Sequence, residues 1–317
     1  MTPASSIPAR PTRLPAAVLL SLAAVYVIWG STYFAIRVAV AAWPPLLMVG
    51  TRFIAAGAIL FAIMRWRGAA WPTPRQWLNA AVIGLLLLGG GNGFVTIAEQ
   101  WVSSSLAAAI VATAPMWVAL LAGVLGQWPS RAEWLGIVIG FAGVVLLNLE
   151  GEMRANPLGA LALIAAPLCW SVGSVLSRRL SLPDGPMGTA AEMLTSGVVI
   201  TLGGLLFGER LEALTAPAVG AWLYLVVFGS LVAFSAYMYL IRTVRPALAL
   251  SYTYINPVIA VALGAALGGE ALSGVGLAGI GVILVGVICI LLARSAGARP
   301  APARVGGEPA AVPESGD

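Results

Sequence analysis

Residues 28–38 read IWGSTYFAIRV, and residues 169–179 read CWSVGSVLSRR. Trp29 falls on Trp170 and Arg37 on Arg178, both 141 positions apart, each pair enclosing a run of small and hydroxylated side chains. The echo continues at Pro45 and Pro186, also 141 apart, at Pro115 and Pro257, 142 apart, and at Gly136 and Gly143, which match Gly279 and Gly286 at 143. A drift of one residue per loop is what small insertions leave in a duplicated segment, and a period this long marks a repeated structural unit.

What is repeated follows from composition. The 317-residue chain is 60% hydrophobic and 9% charged, with a mean hydropathy of +0.96, whereas roughly a quarter of a soluble domain is charged. The sequence therefore reads as an integral membrane protein. Continuous apolar runs, rather than ten-residue alternation, favour helices over a barrel. Ten such runs occur, near 14–36, 46–64, 77–98, 104–125, 132–149, 157–177, 188–207, 218–241, 247–267 and 273–293. Each approaches the about 20 residues that one crossing requires. Turn chemistry separates them, at Pro44-Pro45, Pro72-Thr73-Pro74, Pro129-Ser130, Asn156-Pro157, Pro183-Asp184-Gly185-Pro186 and Pro246. The first run follows Arg10 and Arg13 but lacks a small-residue cleavage site, so it reads as a retained helix rather than a signal peptide. The division expected is a cytoplasmic segment 1–13, a first repeat 14–151, a second repeat 152–293 and a disordered cytoplasmic tail 294–317 rich in Pro, Gly and Ala.

Residue types that are missing exclude several chemistries. The chain has no His, and its 17 basic residues are all arginine. A Walker A lysine, a zincin His pair and a Schiff-base amine are thus ruled out. Cys169 and Cys289 lie inside apolar runs and read as packing residues. With no His, Cys or paired-carboxylate cluster in the spans, neither an enzyme, a metal site nor a cofactor is expected. No nucleic-acid partner is expected either.

Orientation follows from arginine. With the N-terminus in the cytoplasm, inner segments hold Arg10, Arg13, Arg65, Arg67, Arg75, Arg131, Arg178, Arg179, Arg242, Arg245, Arg294, Arg299 and Arg304, while outer loops hold Arg154 and Arg210. The positive-inside rule then sets both termini in the cytoplasm. Because Trp29 lies in the first run and Trp170 in the sixth, the unit has five helices. An odd unit makes the second copy enter the membrane from the opposite side. The expected fold is an all-α integral membrane protein of ten transmembrane helices in an inverted 5+5 structural repeat around a central cavity. That symmetry suits secondary transport, in which two mirror halves rock about a midplane site.

Particular residues carry a family likeness: Trp29-Gly30-Ser31, Arg52-Phe53 with its following Ala-Ala-Gly, Ala107 to Pro115, and Asn256-Pro257 through Gly268-Gly269-Glu270-Ala271-Leu272. Over residues 15–293 these resemble the two EamA repeats of the drug/metabolite transporter superfamily, including exporters of the YddG and YedA type. The resemblance implies a basket of helices whose cavity is lined by helices 1, 3, 4, 6, 8 and 9, with 5 and 10 at the periphery. It also implies export of amino acids, aromatic and other apolar ones included, or of related small metabolites. A facilitated pore or uniporter, or a drug exporter of the same fold, stays open. One departure from the family pattern is that the first repeat has Gln127-Trp128 where the second has Gly269-Glu270.

Polar and amphipathic side chains inside spans are the candidate substrate contacts, because lipid punishes them. Trp29 and Tyr33 are four apart on helix 1, Trp170 and Ser174 repeat that spacing on helix 6, and Asn92 and Thr96 repeat it on helix 3, followed by Trp101. Helix 8 adds Tyr237, and helix 9 adds Tyr252 and Asn256. The prolines Pro115, Pro167 and Pro257 are expected to break helices 4, 6 and 9 around this cluster. Such a cavity suits a zwitterion with an apolar side chain. Trp and Tyr also anchor interfaces, so Trp66, Trp71, Trp77, Trp128, Trp134 and Trp222 are assigned to the belt. The amides of Asn92 and Asn256 could equally glue helices together. Arg52 and Glu192 are gating or coupling candidates. They differ in depth by roughly 10–15 Å at 1.5 Å per residue, so no direct ion pair is expected between them. The glycine spacings Gly136 to Gly140 and Gly264 to Gly268 read as close helix packing or a dimer face, and the oligomeric state expected is a monomer or weak homodimer in the lipid bilayer.

Overall fold

The computed structural model describes residues 15–126, 128–148, 156–244, 246–249, 251–270 and 273–297, and among these every regular element is a helix. In chain order they are α1 (Ala16–Val40), α2 (Pro45–Trp66), α3 (Pro74–Ala98), α4 (Ser104–Val124), α5 (Arg131–Asn148), α6 (Pro157–Ser177), α7 (Pro186–Leu206), α8 (Ala216–Ile241), α9 (Tyr252–Gly268) and α10 (Gly274–Gly297). A single helical turn, Pro246–Ala249, precedes α9. Among the described residues seven helices, α1 to α4 and α6 to α8, are long and apolar enough to cross a membrane, and Ile255–Gly268 and Gly274–Ile290 are shorter apolar helices. The expected segment 1–13 lies outside the described residues, as do Gln127, Arg154 and Arg245. The expected tail at 294 begins inside α10, which continues to Gly297.

The helix starts are written locally. Proline occupies the first turn of α2, α3, α6, α7 and α8, where its missing N–H leaves no bond unmade. Thr73 and Gln76 form a reciprocal capping box, while Asn156 Oδ1 accepts from Gly159 N at 2.8 Å and Thr215 Oγ1 from Ala218 N.

Several helices come into near backbone contact. α2 lies along α7 and α5 along α10. A Cβ on Gly286 would sit 2.5 Å from Gly140 N, and one on Gly143 would sit 2.8 Å from Gly279 O, so only glycine lets these backbones close. The Gly136 to Gly140 face is thus covered by α10 of the same chain. Around these pairs, α1 packs on α8 and α9, α6 packs on α3 and α4, and α4 meets α9.

The breaks expected at three prolines occur at one. α4 is interrupted at 112–113, just before Pro115, whereas α6 runs through Pro167 and α9 through Pro257. The larger departures from α geometry are wide π turns at Val25–Trp29 in α1, Leu85–Gly93 in α3 and Leu225–Val232 in α8. Such turns shift the register of one helical face against the next and recur at functional sites.

Candidate functional site

The three wide turns converge on one cavity. Trp29 closes the turn in α1, Gly91 and Asn92 lie in that of α3, and Gly229 lies in that of α8; all four line its wall. Thr32, Tyr33 and Ile36 of α1, Arg52 and Phe53 of α2, Ala166 and Trp170 of α6, Phe234 of α8, and Tyr252 and Asn256 of α9 complete most of the wall.

A glycine meets each of the two repeated tryptophans. A Cβ on Gly91 would lie 2.8 Å from the Trp170 ring, and Trp29 Nε1 donates to Gly229 O at 3.2 Å. The two indoles meet edge to face, with centroids 5.8 Å apart and planes at 87°. Tyr252 packs against Trp29 at 5.1 Å, also edge to face. The doubled phrase of the sequence thus meets itself at the cavity.

Of the sequence candidates, Trp29, Tyr33, Asn92, Trp170, Tyr252 and Asn256 line the cavity, and so does Arg52. Tyr237 stands one layer behind, buried, its ring 5.0 Å from Trp29 and 5.7 Å from Tyr252. Thr96 and Ser174 do not line it: each hydroxyl folds back onto the carbonyl four residues earlier, Asn92 O at 2.9 Å and Trp170 O at 2.7 Å. Trp101 lies beyond the end of α3, 45% exposed, and Glu192 is buried in α7 outside the lining. Trp222, assigned to the belt, stacks on Trp43 at 5.4 Å and donates to Thr51 Oγ1. Phe53 and Phe234 are lining aromatics that the sequence did not single out as contacts, since a phenyl ring suits lipid and cavity alike. The wall also draws on α2, beyond the helices implied by family resemblance.

Arg52 is 3% exposed. Its Nη2 donates to Asn92 Oδ1 at 3.2 Å, and the guanidinium lies 4.2 Å from the Phe53 ring centre. In the amide orientation that satisfies both neighbours, Asn256 Nδ2 donates to Tyr252 O and to Tyr26 O, a carbonyl in the wide turn of α1. Asn256 therefore joins α9 to α1 while facing the cavity.

One turn beyond Tyr33 an ionic cluster closes the same end of α1. Arg37 Nε lies 3.5 Å from Glu270 Oε1, and Arg37 Nη1 donates to Val102 O. Glu270 accepts from Ser104 N at 2.9 Å and Oγ at 2.8 Å, and from Ser105 N at 3.2 Å and Oγ at 2.7 Å, capping α4 from 165 residues away. Burial alone would raise the Glu270 carboxyl, but these four bonds outweigh it and hold it below its ordinary value. Glu99, 2% exposed beside it, is driven the other way, well above the ordinary range, by burial and then by the charge of Glu270. Glu209 repeats the capping device on α2, accepting from Leu46 N and Leu47 N at 3.1 and 2.8 Å. Both capping acids follow glycines in the left-handed region, Gly269 at φ 62° and Gly208 at φ 84°, which turn the chain off the helix end.

Comparison with known proteins places this geometry. The EamA-like transporter family matches residues 16–149 and 157–292. The uncharacterized inner membrane transporter YedA of Escherichia coli (strain K12) is 50% identical over 254 residues, 79% of this chain and 82% of that protein. The uncharacterized transporter YvbV of Bacillus subtilis (strain 168) is 25% identical over 246 residues, covering 76% and 81%. A solved crystal structure superposes with a TM-score of 0.64 at 23% identity, covering 90% of this chain and 100% of that one, a likeness of fold alone.

Proposed function

This chain belongs to the EamA-like transporter family, and on that premise we propose that it is a secondary active transporter. In this reading it exports amino acids, aromatic and other apolar ones included, or related small metabolites across a bacterial inner membrane by alternating access. The observation that carries it is the meeting of Trp29 and Trp170, equivalent residues of the two sequence repeats, across one central cavity. Ten crossings in an inverted 5+5 arrangement, with both termini cytoplasmic, complete the proposal.

The packing supports that arrangement. Advancing every helix by five exchanges the α1–α8 contact with α6–α3 and the α1–α9 contact with α6–α4, and returns α2–α7, α5–α10 and α4–α9 to themselves. The wide turn starting at Leu85 in α3 has its counterpart starting at Leu225 in α8, 225 − 85 = 140 residues later. Inverted repeats of this kind let one site open to either face in turn. The name of the Escherichia coli relative, an inner membrane transporter, supports the location.

The test is uptake by the purified chain in proteoliposomes from a panel of labelled amino acids, with and without a pH gradient. Saturable uptake with counterflow is expected. A pore would pass solute without saturation or counterflow, and a panel without saturable uptake overturns the amino acid assignment.

A further inference from the structure

We propose that Arg52 is the receptor for an acidic head group on the transported solute, so that the cavity selects carboxylates with an aromatic or apolar body and rejects cations. The inference rests on the cavity being the transport site, and it narrows the substrate class.

The lining holds one arginine and, among the described residues, neither aspartate nor glutamate. Glu192, a buried carboxyl on the helix packed against α2, stands outside the lining. The partners of Arg52 inside the cavity are a neutral amide oxygen and a phenyl face, and its buried Nε has no acceptor among the described residues. A guanidinium carries five N–H donors in a planar fork, and a desolvated charge held by neutral groups alone is strongly unfavourable. A solute carboxylate would satisfy the fork with two parallel hydrogen bonds while neutralising the charge. The rings of Trp29, Trp170, Phe234 and Tyr252 then receive the body of the solute. An ammonium group alone finds no carboxylate in the wall and meets the positive field of Arg52. A zwitterion is admitted through its carboxylate, its ammonium resting on ring faces.

Four ligands with one ring system test this: indole-3-propionate, its neutral primary amide, tryptophan and tryptamine, titrated calorimetrically against the full chain in lipid nanodiscs. Binding of indole-3-propionate and tryptophan is expected, with the amide weaker by about 30-fold, as when one partner of a buried charge pair is removed, and tryptamine weaker still. R52Q should abolish the preference of carboxylate over amide, while R52K, a point charge without the fork, should retain part of it. A purely structural arginine would weaken all four ligands alike and leave that ratio unchanged. Should R52Q fail to fold, the wild-type series decides. Tryptamine binding as tightly as indole-3-propionate, no binding of either carboxylate, or an unchanged ratio in folded R52Q overturns the proposal. Saturable counterflow of a solute without an acidic group, insensitive to R52Q, would remove Arg52 and leave transport standing. Absence of saturable counterflow for every solute would remove the transport reading itself.

Discussion

Replacing Glu270 tests whether a side chain on the loop after α9 fixes the start of α4. In the wild type its carboxylate, with 4% of the side chain exposed, accepts two backbone N–H groups and two hydroxyls of Ser104 and Ser105 and faces Arg37. Losing a helix cap costs about 0.5–2 kcal/mol, and leaving buried donors unmet costs about 1–3 kcal/mol. Arg37 is 39% exposed, so its ion pair adds only about 0–1 kcal/mol after screening. Glu270→Ala should therefore destabilise the protein by about 2–4 kcal/mol, and Glu270→Gln, which keeps one acceptor oxygen, by about 1–2 kcal/mol. The pH dependence has a definite sign. Because folding holds this carboxyl below its ordinary value of 4.5, its stabilisation is complete above that pH and is lost as pH falls through the folded-state value. Thermal unfolding of wild type and Glu270→Gln in detergent micelles, repeated from pH 3 to 8, should show a gap that is constant near neutrality and narrows below about pH 4.5. Equal stability at pH 7, or a gap that widens on acidification, would mean that Glu270 does not cap α4.

The neighbouring Glu99 carries the opposite sign. With its carboxyl raised by burial and by Glu270, its folded form is favoured at acid pH and weakened as pH rises, so Glu99→Gln should be neutral near pH 4.5 and stabilising above it; thermal unfolding against pH that shows a uniform loss would contradict this. Gly286→Ala drives a methyl into the backbone of α5 and should cost about 1–3 kcal/mol, while Gly281→Ala on the same helix, with nothing within 4 Å, should be neutral or gain up to about 1 kcal/mol; unfolding midpoints of the pair separate packing from propensity. Trp29→Phe keeps a ring against Trp170 but removes the donor to Gly229 O, and should cost about 0.5–1.5 kcal/mol of stability with a raised KM, read by uptake into proteoliposomes.

The sequence made the helices legible because each apolar run is bounded by proline, glycine or a capping side chain, and those local signals survive in the fold. Trp29, Trp170, Asn92 and Asn256 were legible for a second reason: amphipathic groups in a span need partners, and the cavity supplies them. Thr96 and Ser174 share that polarity but satisfy it against their own helix, a choice that spacing alone does not reveal. Phe53 and Phe234 were hidden because a phenyl ring has no polar group to satisfy and so suits lipid and cavity alike. The wide turns depend on hydrogen-bond register, and glycines 89–91 were their nearest trace in the sequence. The cap from Glu270 to Ser104 joins residues 166 apart, and the Gly269-Glu270 pair marked its place without naming its partner.

The central claim is that one cavity faces each side of the membrane in turn. Its most direct measurement places a cysteine at Thr32, a lining position, with Cys169 and Cys289 changed to alanine, and follows labelling by an impermeant thiol reagent applied to either face of sealed vesicles. The account predicts reaction from both faces, slowed by saturating solute. Reaction from one face only, at a rate that solute leaves unchanged, would contradict it.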